Sequence, residues 1–152
     1  MSQRLKAVEE LRKPVKELVL PVYGAYEELK PRLEEIPDSS IRRLFRTFLK
    51  FCERVGGKMT FERYRHENYE EVYSSCILPA PSYAELSVDT QGGGTLNIGV
   101  MGAETNILTP EDWRVIVSGG TVGEGCKEIF LRAEKEVISP EAWKWKVRVS
   151  CR

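Results

Sequence analysis

Apolar residues recur every three or four positions over the first third of the chain, the spacing of amphipathic helices. Pro14 interrupts the first such segment, Pro21 is placed to begin the second, and Gly56-Gly57 ends the third. The apolar positions are Leu5, Val8, Val15 and Leu18; then Val22, Tyr26, Leu29, Leu33 and Ile36; then Ile41, Phe45, Phe48, Cys52 and Val55. The pattern therefore predicts two or three helices over residues 1–57, with residues 37–40 separating the last two.

Beyond Gly57 the apolar positions change to a period of two, which is typical of strands with one buried face. This alternation is clear at Leu86 and Val88 and again over residues 96–100, whereas residues 59–73 are ambiguous. Glycine runs at 92–94 and 119–120 have the composition of turns. The predicted fold class is α+β, with a helical region at 1–57 and an antiparallel β sandwich or barrel at 58–152.

One sequence pattern occurs twice, thirty residues apart. Residues 101–117 read MGAETNILTPEDWRVIV and residues 131–147 read LRAEKEVISPEAWKWKV. In both copies a hydroxyl residue precedes proline at a capped turn, and a period-two strand begins at the tryptophan. Two copies are too few for a solenoid, so we expect two equivalent hairpins in one sheet. Trp113, Trp143 and Trp145 are then core residues, and the alternative is an exposed stacking platform.

The composition is that of a folded, soluble protein, with 41% hydrophobic residues, 30% charged residues and zero formal net charge. No run approaches the roughly 18 apolar residues of a membrane span, and the N-terminus lacks an apolar signal region. We expect a cytoplasmic protein, or one inside an assembled particle, without membrane association. Twenty glutamates beside five Asn and Gln are typical of hyperthermophiles, and fit a viral or plasmid protein as well as a cellular one.

Four cysteines, Cys52, Cys76, Cys126 and Cys151, are widely spaced and form no CxxC pair, which argues against a zinc site. Intracellular proteins of hyperthermophiles can carry disulfides. Cys126 and Cys151 lie near opposite ends of the last predicted hairpin, but apolar alternation places them on opposite faces of the sheet. A bridge between them would need a β-bulge, so the sequence favours four buried or free thiols.

Charge is divided unequally along the chain. Residues 1–66 hold fifteen Lys and Arg against ten Asp and Glu, whereas residues 67–152 hold eight against thirteen, giving +5 and −5. Two interpretations follow from this asymmetry. The halves would attract each other within or between subunits, or the basic half would face a polyanion.

A basic stripe occupies the third predicted helix, and comprises Arg42, Arg43, Arg46, Lys50 and Arg54. Four of its members are spaced four residues apart, and like charges at that spacing cost a few tenths of a kcal/mol per pair. The stripe is compatible with an anionic partner, such as phosphates or an acidic protein face. The preferred interpretation is a solvated face neutralised by glutamates of neighbouring helices, such as Glu27, Glu34 and Glu35, because charge runs usually face solvent and no nucleic-acid-binding motif accompanies this one.

The only histidine, His66, lies in a charged and aromatic segment beside Glu67 and Glu70. Such a group could supply acid–base chemistry, but a single His without a nucleophile or metal-ligand pattern is more typical of a surface. We therefore predict no enzyme, no cofactor and no metal site. The preferred function is a non-catalytic structural or assembly protein, a subunit of an oligomer, particle or filament that self-associates through its helical region. The alternative is a nucleic-acid-binding module that uses the basic stripe.

Overall fold

The computed structural model describes residues 25–66, 69–89, 94–110, 113–118, 122–139 and 142–151. In this part of the chain two helices precede seven strands. They are α1 (Tyr26–Glu34), α2 (Ser39–Arg54), β1 (Lys58–His66), β2 (Tyr69–Asp89), β3 (Thr95–Val100), β4 (Ala103–Leu108), β5 (Arg114–Ser118), β6 (Val122–Ser139) and β7 (Ala142–Cys151). The predicted helical segment at residues 5–18 lies outside the described residues. Neither described helix has the length and apolarity that a membrane crossing requires.

The described strands form one curled mixed sheet, a half-barrel, in the order β4-β3-β2-β6-β7-β5. β2 is its central strand, because the first half of β2 pairs with β1 and the second half with β3, while β6 follows its other edge. The strand pairs are antiparallel except for β5 with β7, which are parallel. The predicted fold class is therefore wrong, since the described residues form two helices and one curled mixed sheet in place of the predicted helical region and antiparallel sandwich.

The length of β2 explains part of this error. β2 runs through Pro79 and Pro81, and proline normally ends a strand because it lacks the N–H that a ladder requires. Both prolines lie where pairing is interrupted: the register with β6 shifts between Ile77 and Ser82, and pairing with β3 begins only at Ala84. The two halves of β2 therefore form one strand that can carry β1 and β3 along the same edge.

The two copies of the repeat fold differently, so the predicted pair of equivalent hairpins is wrong. Residues 131–147 belong to the β6–β7 hairpin. In the first copy, β4 pairs with β3, and β5 lies at the far edge of the sheet, parallel to β7. The two tryptophan-led strands thus lie side by side: Val115 pairs with Val147, although the repeat aligns Val117 with it. Alternation identifies strands, but it does not identify their partners.

α2 lies over one face of the sheet, which we call the inner face, and is fixed at its start by Asp38. The Asp38 carboxylate accepts hydrogen bonds from the backbone N–H groups of Ser40 and Ile41 at 2.9 and 3.1 Å, the geometry of a helix N-cap. The buried side chains of α2 are Ile41, Leu44, Phe45, Phe48, Leu49, Phe51 and Cys52. Phe45 meets Phe61 of β1 edge to face, with ring centroids 6.0 Å apart. This apolar contact joins the helices to the sheet.

Two disulfides cross-link the fold, so the expectation of four thiols is wrong. Cys52–Cys76 joins the last turn of α2 to β2, and Cys126–Cys151 joins β6 to the end of β7. The second bridge forms because strict alternation fails near Gly125, which has a φ of 78°. Cys126 and Ile129 are both buried although they lie three residues apart. The register with β2 shifts at Cys126, which supplies the irregularity that the bridge needs.

Gly57 lies against the Cys52–Cys76 disulfide. A Cβ atom at this position would stand 2.6 Å from Sγ of Cys76 and 2.7 Å from Sγ of Cys52. We expect Gly57→Ala to lower the free energy of unfolding by about 1–3 kcal/mol, the usual cost of overpacking, and to increase free thiol in unreduced protein. Denaturant unfolding and thiol titration measure the two effects.

The matched control is Gly99→Ala, because a Cβ at Gly99 would meet nothing closer than 3.8 Å. Like Gly57, Gly99 has no positive φ. Equal losses of stability and equal thiol content in the two variants would contradict the role of close approach at Gly57.

Candidate functional site

Arg42 and Arg46, in the first part of the basic stripe, already have partners within the chain. The Arg42 guanidinium donates from Nη1 to the carbonyl oxygens of Ile36 and Pro37, at 2.7 and 3.3 Å. Nη2 of Arg46 lies 3.8 Å from Oε1 of Glu34, and both side chains are exposed. Glu34 thus provides some of the neutralisation that the solvated-face interpretation expected, and Arg42 stabilises the turn between α1 and α2.

The second part of the stripe is more open. Nζ of Lys50 lies 5.4 Å from the ring centroid of Tyr26, within the range of a cation–π contact. Arg54 donates to the carbonyl oxygen of Glu104 in the edge strand β4. Arg43 is exposed and makes no side-chain hydrogen bond or ion pair with another described residue. Arg43 and Lys50 are therefore the members most accessible to a partner.

The histidine cluster does not assemble as one group in the described residues. His66 ends β1 opposite Tyr69, and its side chain lies outside the described residues, as does Glu67. Glu70 is committed to an ion pair with Arg63. Within the described ranges, no group of three or more His, Cys, Asp and Glu residues could hold a metal ion.

The tryptophans that the structure describes pack inward. Trp145 is 2% exposed, and its indole Nε1 donates to Oδ2 of Asp38 at 3.2 Å. Trp113 is half-buried, with its ring centroid 6.4 Å from that of Trp145. Core packing is therefore confirmed for Trp145, while the side chain of Trp143 lies outside the described residues. The bond to Asp38 ties β7 to the residue that caps α2.

Arg63 is a buried cation that the sequence interpretation missed. It is 3% exposed, and its Nε donates to Oε1 of Glu70 at 3.2 Å. Its Nη1 donates to the carbonyl oxygen of Glu35 at the end of α1, also at 3.2 Å. A cation at this position interacts favourably with the helix dipole, whose negative end lies at the C-terminus of α1. Arg63 therefore anchors α1 to the inner face, in the stretch whose period the sequence left ambiguous.

The opposite side of the sheet, which we call the outer face, carries alternating side chains of five neighbouring strands. Both described helices lie on the inner face, so neither of them covers it. Strand register places its side chains in two rows across β1, β2, β6, β7 and β5. The rows are Tyr64–Glu71–Glu134–Lys146–Arg114 and Glu62–Tyr73–Arg132–Arg148–Ile116. Such rows can be seen only once the register is known.

Arg132 is the centre of a charge network on the outer face. Its Nε lies 3.0 Å from Oε1 of Glu71, and its Nη2 lies 3.2 Å from Oε2 of Glu134. Nζ of Lys146 lies 3.9 Å from the other oxygen of Glu134. Burial alone would lower the pKa of Arg132, but the contacts with Tyr69 and both carboxylates outweigh it and raise that pKa. The network therefore links β2, β6 and β7 through opposite charges.

Aromatic rings lie beside this network. The rings of Tyr64 and Tyr73 stack with centroids 5.5 Å apart, and their hydroxyl oxygens are 2.8 Å apart. Phe130 continues the cluster, with its centroid 5.6 Å from that of Tyr73. Burial, followed by hydrogen bonds to Glu62 and Tyr64, raises the pKa of Tyr73. Tyrosine and arginine together are the residue types enriched where proteins bind one another.

The buried pair of Arg63 and Glu70 provides a test of this geometry. Glu70→Gln leaves a buried guanidinium without its counter-charge, so we expect the free energy of unfolding to fall by about 3 kcal/mol or more. The control is Glu34→Gln, which breaks the exposed pair with Arg46 and should cost less than about 1 kcal/mol. Denaturant unfolding measures both. Similar losses in the two variants would show that Arg63 is not buried as described.

The outer-face network makes a second prediction, which concerns pH. Burial, followed by a hydrogen bond to Glu71, raises the pKa of Tyr69 to about 12. The folded protein then retains a proton that the unfolded chain releases near pH 10. The stability from this group is therefore present below pH 10 and is lost as the pH rises from 10 to 12.

Ultraviolet titration of tyrosinate in the folded protein measures this pKa, with Tyr69→Phe identifying the contribution of Tyr69. The difference between wild type and variant should show one ionisation near pH 12. A difference centred near pH 10 would mean that Tyr69 is solvated and does not contact Glu71.

A scan against protein-family models gives no match, and searches of curated proteins and of solved structures give no significant match. We therefore infer function from the contacts, charges and exposure of this chain's own residues.

Proposed function

We propose that this chain is a non-catalytic structural protein whose copies assemble into an oligomer, particle or filament. The observation that supports this most is the outer face, where stacked rings and a charge network are ordered before any partner binds. Side chains that are already ordered lose little conformational entropy on association. A sheet face with tyrosine and arginine side chains held in this way has the properties of a preformed protein interface.

The helical layer offers a second surface for association, the one that the sequence suggested. α1 exposes Glu27, Glu28 and Glu34, its C-cap Glu35 is also exposed, and α2 exposes Arg43 and Lys50 in the same helical layer. Opposite charges that lie side by side on one surface complement the same surface of a second copy. A subunit with two separate surfaces for self-association can form a larger assembly than a dimer.

The two disulfides support an assembly role through rigidity. Cys52–Cys76 fixes the helices on the sheet, and Cys126–Cys151 fixes the end of β7 on β6. Repeated assembly requires each copy to present the same shape, and cross-links restrict the alternatives. The relative placement of the helical layer and the outer face is therefore constant from copy to copy.

A nucleic-acid-binding module remains the second candidate, since Arg43 and Lys50 are exposed on α2. This candidate is weaker, because Arg42 and Arg54 already donate to backbone carbonyl oxygens and Arg46 lies beside Glu34. A phosphate would have to compete with those contacts. Two accessible cations give only a shallow dependence of affinity on salt.

Sedimentation velocity over a wide range of protein concentration and salt tests the proposed assembly. We expect the full chain to sediment as dimers or larger species at high protein concentration and low salt. Arg43→Glu/Lys50→Glu should weaken association through the helical layer by about tenfold, because it places like charges opposite the partner's glutamates. A wild-type protein that stays monomeric under all conditions would contradict the proposal.

The control variant, Lys127→Glu, is compared with Arg43→Glu alone, because both make the same change in net charge and Lys127 is exposed outside the helices and outside the two rows of the outer face. Fluorescence anisotropy with single-stranded and duplex probes distinguishes the second candidate. A salt-dependent affinity that is lost in the helix variant but not in the control would favour nucleic-acid binding over assembly.

A further inference from the structure

We infer that two copies of this chain pair outer face to outer face, about a two-fold axis parallel to β6. The partner is thus a second copy, and the pair forms a two-sheet sandwich across the interface. This inference rests on the proposed assembly function and specifies the surface that carries it. Two sheets packed in this way lie about 10 Å apart with their strands nearly aligned.

Charge on the outer face is arranged by strand. The acidic side chains Glu62 and Glu71 lie on β1 and β2, at one side of β6. The basic side chains lie on β7 and β5, at its other side, and are Lys146, Arg148 and Arg114. The two central charges of β6, Arg132 and Glu134, bond to each other. Within the two rows, the outer face therefore has an acidic side and a basic side that meet at β6. The exposed Lys58 lies on the same face of β1 but beyond the rows.

This arrangement selects one symmetry axis. A two-fold axis that lies between the sheets and parallel to the strands places β2 opposite the partner's β7, and β1 opposite the partner's β5. Glu71 then faces Lys146 of the other copy, and this contact occurs twice. The β6 charges Arg132 and Glu134 face their own copies, but they are already bonded to each other within each subunit. An axis in the same plane but perpendicular to the strands would place each strand opposite its own copy, acid against acid. Charge therefore favours the parallel axis.

The same axis provides partners for aromatic and basic groups. Tyr73 on β2 faces Arg148 of the other copy on β7, and Tyr64 on β1 faces Arg114 on β5. Arginine stacks favourably on tyrosine rings. Arg114 is exposed and Arg148 is half-exposed, and neither makes a side-chain hydrogen bond or ion pair with another described residue. Arg132 and Lys146, in contrast, are already paired within the subunit. The cations without such a bond are those that the partner would contact.

The area of the outer face determines how tightly two copies are expected to bind. Five strands at about 4.8 Å spacing and about six residues at about 3.3 Å give a face of about 20 by 20 Å. This projected area of about 400 Å² lies below the roughly 600 Å² per partner that specific interfaces bury at least. The dimer should therefore be weak and reversible, should form only at high protein concentration, and should weaken further as salt screens its charges.

Charge reversal on opposite sides of β6 tests the inference. Glu62→Lys and Arg114→Glu lie on β1 and β5, which face each other across the proposed axis, and Glu62 of one copy lies one row away from Arg114 of the other. Each single variant brings like charges within one row's spacing at two places in its own homodimer, so we expect each to weaken self-association several-fold. A mixture of the two variants restores two opposite-charge contacts, and so does the double variant in one chain. We therefore expect both to recover wild-type affinity in sedimentation equilibrium.

Control variants are Glu85→Lys and Lys127→Glu, which make the same charge changes at exposed positions outside the two rows. They should leave the dissociation constant unchanged. Failure of the mixture and of the double variant to recover affinity would overturn face-to-face pairing, and so would equal weakening by the controls. A wild-type oligomer that none of these variants affects would overturn this inference while leaving assembly itself in place, whereas a monomeric wild type at every concentration would overturn both.

Discussion

The disulfide between Cys52 and Cys76 is the constraint on which the rest of the fold depends. It joins the last turn of α2 to the middle of β2, the strand that pairs with β1, β3 and β6. Closing a loop with a sequence separation of 24 restricts the unfolded chain by about 3 kcal/mol in the loop-entropy description. The link also decides which face of the sheet the helices cover. Because α2 is held on the inner face, the alternate side chains of five strands remain on the other.

The remaining contacts reinforce this division between two faces. Arg63 binds the end of α1 from the inner face, and Trp145 binds Asp38 at the start of α2. Apolar side chains therefore point toward the helices, while tyrosines and charged groups of the same strands form ordered rows on the outer face. The proposed assembly uses the second set of side chains without disturbing the first.

The sequence predicts local features correctly where they depend on residues only a few positions apart along the chain. Ile41, Phe45, Phe48 and Cys52 were identified as an apolar helix face, and all four are buried on α2. Strand pairing could not be predicted from local features, because paired strands are distant in sequence. The two similar segments of the repeat pair with different strands. The sequence favours thiols at Cys126 and Cys151, because the β-bulge that a bridge between them requires is visible only in the pairing of β6 with β2. The rows of the outer face likewise depend on strand register. The sequence shows which residues alternate along each strand, but it does not show which residues of other strands lie beside them.

Peptide mapping of the unreduced protein by mass spectrometry tests the central constraint most directly. Digestion under conditions that prevent thiol exchange should yield two cross-linked peptide pairs, one that joins Cys52 to Cys76 and one that joins Cys126 to Cys151. Free thiols at Cys52 and Cys76, or a bridge from either of them to Cys126 or Cys151, would contradict the account, because α2 would then not be held on the centre of the sheet.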